Sequence, residues 1–181
     1  MHLKLTNSYF KQQTNMKKSL SILLVSIICY NAQSQNALAT GRSQLNFGVG
    51  LSNWGIPVYL GLDYGISKDI TLGGEVSVRN YDEDWNNGTY RQQIIGFIGN
   101  GNYHFNNVMN IPSNFDFYAG LNVGFNIWTS PTAYGGSHSS GLAIGAQLGG
   151  RYYFNNKLGL NLEFSGGNSA SNSKLGLSIR L

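Results

Sequence analysis

Charge is scarce in this chain. Asp, Glu, Lys and Arg make up only 11% of its 181 residues, where a soluble sheet protein carries about 25% to keep its exterior wet. Cysteine occurs once, at Cys29, which excludes both a disulfide scaffold and a cysteine metal site. No phosphate loop, zinc spacing or dinucleotide fingerprint occurs. The acidic run Asp82-Glu83-Asp84 fails as a calcium loop, because the positions that require glycine and a bidentate glutamate hold Asn87 and Gln93. No cofactor is therefore expected. What the chain does have is glycine, 24 residues, and aromatics at 13%, which argue against disorder.

The first residues read as an address. Met16-Lys17-Lys18 is basic, Leu20 to Ile28 is apolar, and Ala32-Gln33-Ser34 supplies small residues of the kind a signal peptidase recognises. The apolar stretch, about 11 residues if extended to Tyr30, is well short of the roughly 20 of a spanning helix. Residues 1–34 are thus expected to be an N-terminal extension and a cleavable signal peptide, with Met16 the start, and residues 35–181 to be a single domain. Cys29 lies inside the apolar stretch behind Ile28, which does not suit a lipidation site. Lys4, Lys11, Lys17 and Lys18 are four of the twelve bases, and no acid lies in residues 1–34. The remainder therefore has eight bases and eight acids, and nothing in its charge proposes nucleic acid as a partner.

From Gln44 onward, apolar residues fall at every second position. Phe115, Phe117, Ala119, Leu121, Val123, Phe125 and Ile127 share one face, opposite Asp116, Tyr118, Gly120, Asn122, Gly124 and Asn126. Period two means strands whose two faces meet different media. Eight strands are expected, over 44–52, 57–66, 70–80, 92–105, 115–127, 141–154, 158–166 and 174–181. Connections near 67–69 and 155–157 are short, whereas those at 81–91, 128–140 and 167–173 are longer and polar. Alternating short turns and long loops mark an up-and-down antiparallel barrel of the outer-membrane kind. An inward apolar face would leave glycine and asparagine outside and overfill the interior. An outward one, against lipid, lets barrel closure satisfy every backbone group. The strand over 92–105 fits least well, because Ile94 and Ile98 share parity with Asn100, Asn102 and His104. Either a bulge near Gly99 or Gly101 switches its phase, or the strand end projects beyond the membrane. Tyr103, Phe105, Phe115, Phe117, Tyr152 and Phe154 form an expected girdle at the short-turn rim, and Trp54, Trp85 and Trp128 fall near the other rim.

Lumen parity places Asp63, Glu75, Arg79, Asp116, Arg151, Glu163 and Arg180 inside. An eight-stranded barrel is only wide enough for side chains to fill, and charges there must be paired. Glu75 and Glu163 are expected to contact Arg151 and Arg180 in one network that plugs the lumen. His104 and His138 show no complete hydroxyl, imidazole and carboxylate set in the sequence.

The run Gly149-Gly150-Arg151-Tyr152-Tyr153-Phe154-Asn155-Asn156-Lys157-Leu158-Gly159-Leu160, followed by Glu163, and the amphipathic end Leu175 to Leu181 resemble the small eight-stranded outer-membrane barrels of the OmpA/OmpX type. The likeness is strongest to the porin-family outer-membrane barrels of Bacteroidetes. The resemblance implies a multi-pass barrel in the outer membrane of a Gram-negative bacterium, in contact with outer-membrane lipid. It also implies a terminal strand of the kind read by the barrel-assembly machinery, although Leu181 stands where an aromatic residue is often found. The function expected is non-enzymatic, envelope-structural or surface-interacting, with Trp85, Tyr90, Trp128 and Tyr134 as the first external contacts. A narrow channel for ions or small solutes is the alternative, and a lipid-modifying enzyme a more distant one. The ligand and the oligomeric state are not legible.

Overall fold

Alternating sequence becomes alternating burial, and nowhere more regularly than in Val58–Gly65, where each residue switches between exposed and buried. The computed structural model describes residues 38–86, 88–168 and 173–181. The expected signal peptide over 1–34 lies outside them. Eight strands follow one another: β1 (Ser43–Leu51), β2 (Val58–Gly65), β3 (Ile70–Trp85), β4 (Gly88–His104), β5 (Phe115–Thr129), β6 (Gly141–Tyr153), β7 (Leu158–Gly167) and β8 (Ser173–Arg180). Each pairs antiparallel with the next, and β1 pairs with β8, so the sheet closes on itself. Closure removes both edges, leaving no strand with an unpaired row of backbone groups.

The outer surface is apolar. Leu121 is 71% exposed, and Val58, Leu142 and Phe164 are more than half exposed. An apolar belt running round the whole barrel far exceeds the few hundred Å² that a soluble monomer tolerates. Hydrocarbon is the medium that accepts it. The belt's edge can be read from the register of β3 with β4. Val78 opposite Ile95 is the last apolar outward pair, followed outward by Asn80 with Gln93, Asp82 with Arg91 and Asp84 with Thr89. Ile70 to Val78 on β3 thus crosses the belt, a rise of about 21 Å at a strand tilt of about 40°, comparable to the apolar band of about 25 Å on membrane barrels.

Two expectations need correction. The segment 81–91 is no loop: β3 and β4 continue as a paired ribbon to Trp85 opposite Gly88, and Asn86 at the turn lies in the left-handed region at φ 44°. The outward residues turn polar there because the ribbon leaves the membrane, and backbone pairing does not depend on that medium. Nor is there a phase switch in β4, whose pairing runs unbroken through Gly99 and Gly101 on both sides. Ile94 and Ile98 face the lumen, and Ile94 is 0% exposed. A narrow barrel interior is a packed core, and aliphatic side chains belong in it. Of the expected loop 167–173, residues 169–172 lie outside the described residues.

At the short-turn rim the expected aromatic residues pack together: Phe115 stacks on Phe117 and touches Tyr152, which meets Phe154, while Tyr103 meets Phe105. Inside, glycine makes room. A Cβ on Gly124 would run into the backbone oxygen of Phe97 and the Cα of Ile98, whereas one on Gly141 would meet nothing within 4 Å. Gly124→Ala should therefore destabilise the barrel by about 1–3 kcal/mol and Gly141→Ala by no more than about 0.5 kcal/mol. Urea midpoints of protein folded into vesicles, followed by gel migration without heating, would measure both.

Candidate functional site

The lumen is built by the inward residues of every strand, and its charges fall into two clusters. In the first, Arg151 reaches Asp63 through Nη2 at 2.7 Å and Asp116 through Nη1 at 3.0 Å. Asp116 is Arg151's cross-strand partner on β5, while Asp63 comes from β2 across the barrel. Asn46 donates to the Asp63 carboxylate at 2.9 Å and accepts from Ser178 at 2.7 Å. In the second, Lys174 reaches both Glu75 and Glu163 at 2.8 Å, and Glu163 is its cross-strand partner on β7. Tyr118 joins the clusters. Its ring lies 4.4 Å beneath the Arg151 guanidinium, and its hydroxyl donates to Glu163 at 2.9 Å.

All seven charged residues expected in the lumen face it, but the expected pairing is wrong. Glu75 and Glu163 do not contact Arg151 or Arg180; they converge on Lys174. Arg180 lies 3.5 Å over the Tyr153 ring, in neither ion cluster. Parity fixes the face of a side chain but not its height along the axis, which is set by the stagger between strands. Lys174 was the missing residue, although it shares the parity of Arg180, three pleat repeats away on β8.

His104 also has partners that the sequence did not reveal. The Thr71 hydroxyl lies 3.0 Å from Nε2 and Asp116 lies 2.7 Å from Nδ1. A neutral imidazole fits this with Nδ1 donating to the carboxylate and Nε2 accepting from the hydroxyl. The arrangement has the order of a nucleophile relay, but all three residues are buried, and Asp116 is shared with Arg151. It has no open face on which a substrate could sit, and what it does is satisfy buried polar groups.

A polar cavity of about 20 Å³, bounded by Asp63, Asn102, Tyr118, Arg151, Glu163 and Lys174 among others, holds about one water. Among the described residues no His, Cys, Asp and Glu group is arranged to hold a metal ion.

Aromatic rings pack against one another at the long-loop mouth. Trp128 stacks on His138 at 4.4 Å between ring centres, and Tyr134 lies parallel to His138 at 5.6 Å. Trp85 and Tyr90 from the β3–β4 ribbon meet Tyr134 edge-on, and Trp54 from the 52–57 loop meets Trp128. The four expected external contacts, Trp85, Tyr90, Trp128 and Tyr134, thus form one collar with Trp54 and His138. His138 Nε2 lies 2.6 Å from Glu83, which ties the 130–140 loop to the ribbon above the apolar belt. This hydrogen bond holds the Glu83 carboxyl below the usual carboxylate range. The same carboxylate pushes the Tyr134 phenol up to about 12.

No family model and no curated protein matches this sequence. Solved structures do. OprG, an outer membrane protein from Pseudomonas aeruginosa, superposes with a TM-score of 0.56 at 12% identity, over 81% of this chain and 99% of that one. The de novo designed TMB2.3 gives 0.53 at 20% identity, over 79% and 96%. Ail from Yersinia pestis, determined in phospholipid nanodiscs, gives 0.50 at 14% identity, over 78% and 99%. The chain therefore has the fold of the small eight-stranded transmembrane barrels to which natural outer-membrane proteins of the OmpA/OmpX type belong.

Two predictions follow from the geometry. Arg151→Met leaves Asp63 and Asp116 buried without their cation and should destabilise the barrel by about 3–5 kcal/mol. Arg180→Met removes mainly a ring contact and should lose about 1 kcal/mol; equal losses in urea titrations would contradict the pairing described. Because the folded Glu83 carboxyl titrates lower than a free one, its contribution to loop order is complete above the ordinary carboxylate range. That contribution is lost as pH falls through the lowered value. Tryptophan fluorescence anisotropy should report this loosening on acidification, and Glu83→Gln should lack the transition.

Proposed function

We propose that this protein is an integral outer-membrane barrel of a Gram-negative bacterium. It is non-enzymatic, its lumen is a structural plug, and its long-loop rim acts in envelope organisation or surface interaction. The observation that carries this reading is the packing of the lumen. Two buried ion clusters bridged by Tyr118 leave room for about one water. Ile98 and Ile94, which pair with Glu75 and Arg79, add an apolar stretch on the way to the long-loop mouth. A hydrated ion would have to break salt bridges held in low dielectric to pass, and that is strongly opposed.

The rim supports the second half of the reading. Trp85, Tyr90, Trp128 and Tyr134 present rigid rings with polar edges, a composition suited to contact surfaces. Outer-membrane lipid surrounds the belt, and the amphipathic β8 suits recognition by the barrel-assembly machinery. Purified protein in planar bilayers should give no stable single-channel steps. Steps that disappear on altering Lys174 or Arg151 would replace the plug with the narrow-channel alternative.

A further inference from the structure

The lumen's charges balance in number but not in place. Four acids, Asp63, Asp116, Glu75 and Glu163, are used by two bases, Arg151 and Lys174. Two arginines are left over, one toward each end. Arg180, at the short-turn end, is half-buried and stacked on Tyr153. Arg79, toward the long-loop mouth, is 2% exposed, and its position is the more unusual.

Arg79 makes one hydrogen bond, from Nη1 to the Ser52 hydroxyl oxygen at 3.3 Å. That oxygen also accepts from the Trp54 backbone at 3.2 Å, and the hydroxyl proton goes to the Gly55 carbonyl at 2.8 Å. Ser52 is a neutral and fully engaged partner. The Trp54 ring covers the guanidinium at 5.8 Å. Among the described residues, Nε and Nη2 have no hydrogen-bond partner. These two atoms form the side edge of the guanidinium, with parallel N–H groups spaced to meet two oxygens of one oxyanion. The carboxylates nearest on Arg79's own face of β3, Glu75 and Glu83, are each four residues away, about 13 Å in an extended strand. Both are engaged, with Lys174 and with His138. Gln92, two positions from Arg79's cross-strand partner Ile94, is fully buried and its amide oxygen is also without a partner. A buried charge without a counter-charge is strongly disfavoured, so a guest that completes Arg79 binds with that penalty in its favour.

We propose that the long-loop mouth holds an oxyanion, a carboxylate, sulfate or phosphate group, on the Nε and Nη2 edge of Arg79 beneath Trp54. The group is a free ion or the anionic end of a soluble ligand. A lipid headgroup does not reach it, because Arg79 points into the lumen, away from the apolar belt. This site goes beyond the surface-interaction reading and does not depend on it, since a plugged barrel with no external partner would still carry it.

The test uses the full barrel in detergent micelles with nitrogen-labelled arginine. The Arg79 Nε–H resonance is followed during titration with sulfate, phosphate or acetate at constant ionic strength held by chloride. Trp54→Phe identifies that resonance through the changed ring current, so the wild-type titration can be read even if an Arg79 variant fails to fold. A saturable shift with the oxyanions is expected. Monitored at the Trp54 indole, affinity should fall on the order of tenfold or more in Arg79→Gln, the loss of a charge-assisted pair of bonds. It should fall less in Arg79→Lys, and not at all in Arg91→Gln, which is paired outside with Asp82. No saturable shift, or the same shift with chloride alone, would overturn the proposal and leave water as the partner of Arg79.

Discussion

Backbone hydrogen bonding in hydrocarbon is the constraint from which the rest of this molecule follows. A strand in lipid has no water to satisfy its N–H and C=O groups, so the sheet must have no edge. β8 therefore pairs with β1 along nearly its whole length. Closing only eight strands gives a lumen just wide enough for side chains to fill, and too polar, given an outward apolar face, for an ordinary oily core. The interior must then be filled by polar side chains that satisfy one another. The pairs Asp116 with Arg151 and Glu163 with Lys174 answer that demand in the simplest way, across neighbouring strands, and Asp63 and Glu75 complete each pair from the other side of the barrel.

The two ion clusters also explain the glycines. Tyr118 can lie under Arg151 and still reach Glu163 because Gly149 stands beside its ring, where a side chain would collide with it. Glycine weakens a strand, and at Gly149 and Gly159 the space goes to the rings of Tyr118 and Tyr153. The structure is thus held by close packing of charges and rings, with the aliphatic residues working on the outside, in the reverse of the usual arrangement.

Much of this was legible in the sequence, and the rest was not for definite reasons. Period two fixed the faces, so the seven charged lumen residues were found by parity alone. Their partners depended on stagger and on the position of Lys174 at the start of β8, which parity does not order along the axis. The β3–β4 ribbon was taken for a loop because Asn80, Asp82 and Asp84 lack the apolar signature, yet that signature reports the medium and not the pairing. Ile94 and Ile98 suggested a bulge only on the assumption that a polar lumen excludes aliphatic groups. The relay of Thr71, His104 and Asp116 joins residues from three strands, and no local spacing announces it. The collar joins the 52–57 loop, the β3–β4 ribbon and the 128–138 segment through ring contacts, which leave no periodic mark in the sequence.

The central claim is that hydrocarbon bathes the outward face up to Val78 and Ile95 and water bathes it beyond. Paramagnetic relaxation of backbone amides, in vesicles carrying either a lipid-chain radical or a water-soluble gadolinium chelate, tests it directly. The account predicts that Phe97, Val123, Ile144 and Leu162 respond to the lipid radical alone, and Asp82, Arg91 and Thr89 to the chelate alone. Broadening of the first group by the chelate would place water against the apolar belt and contradict the account.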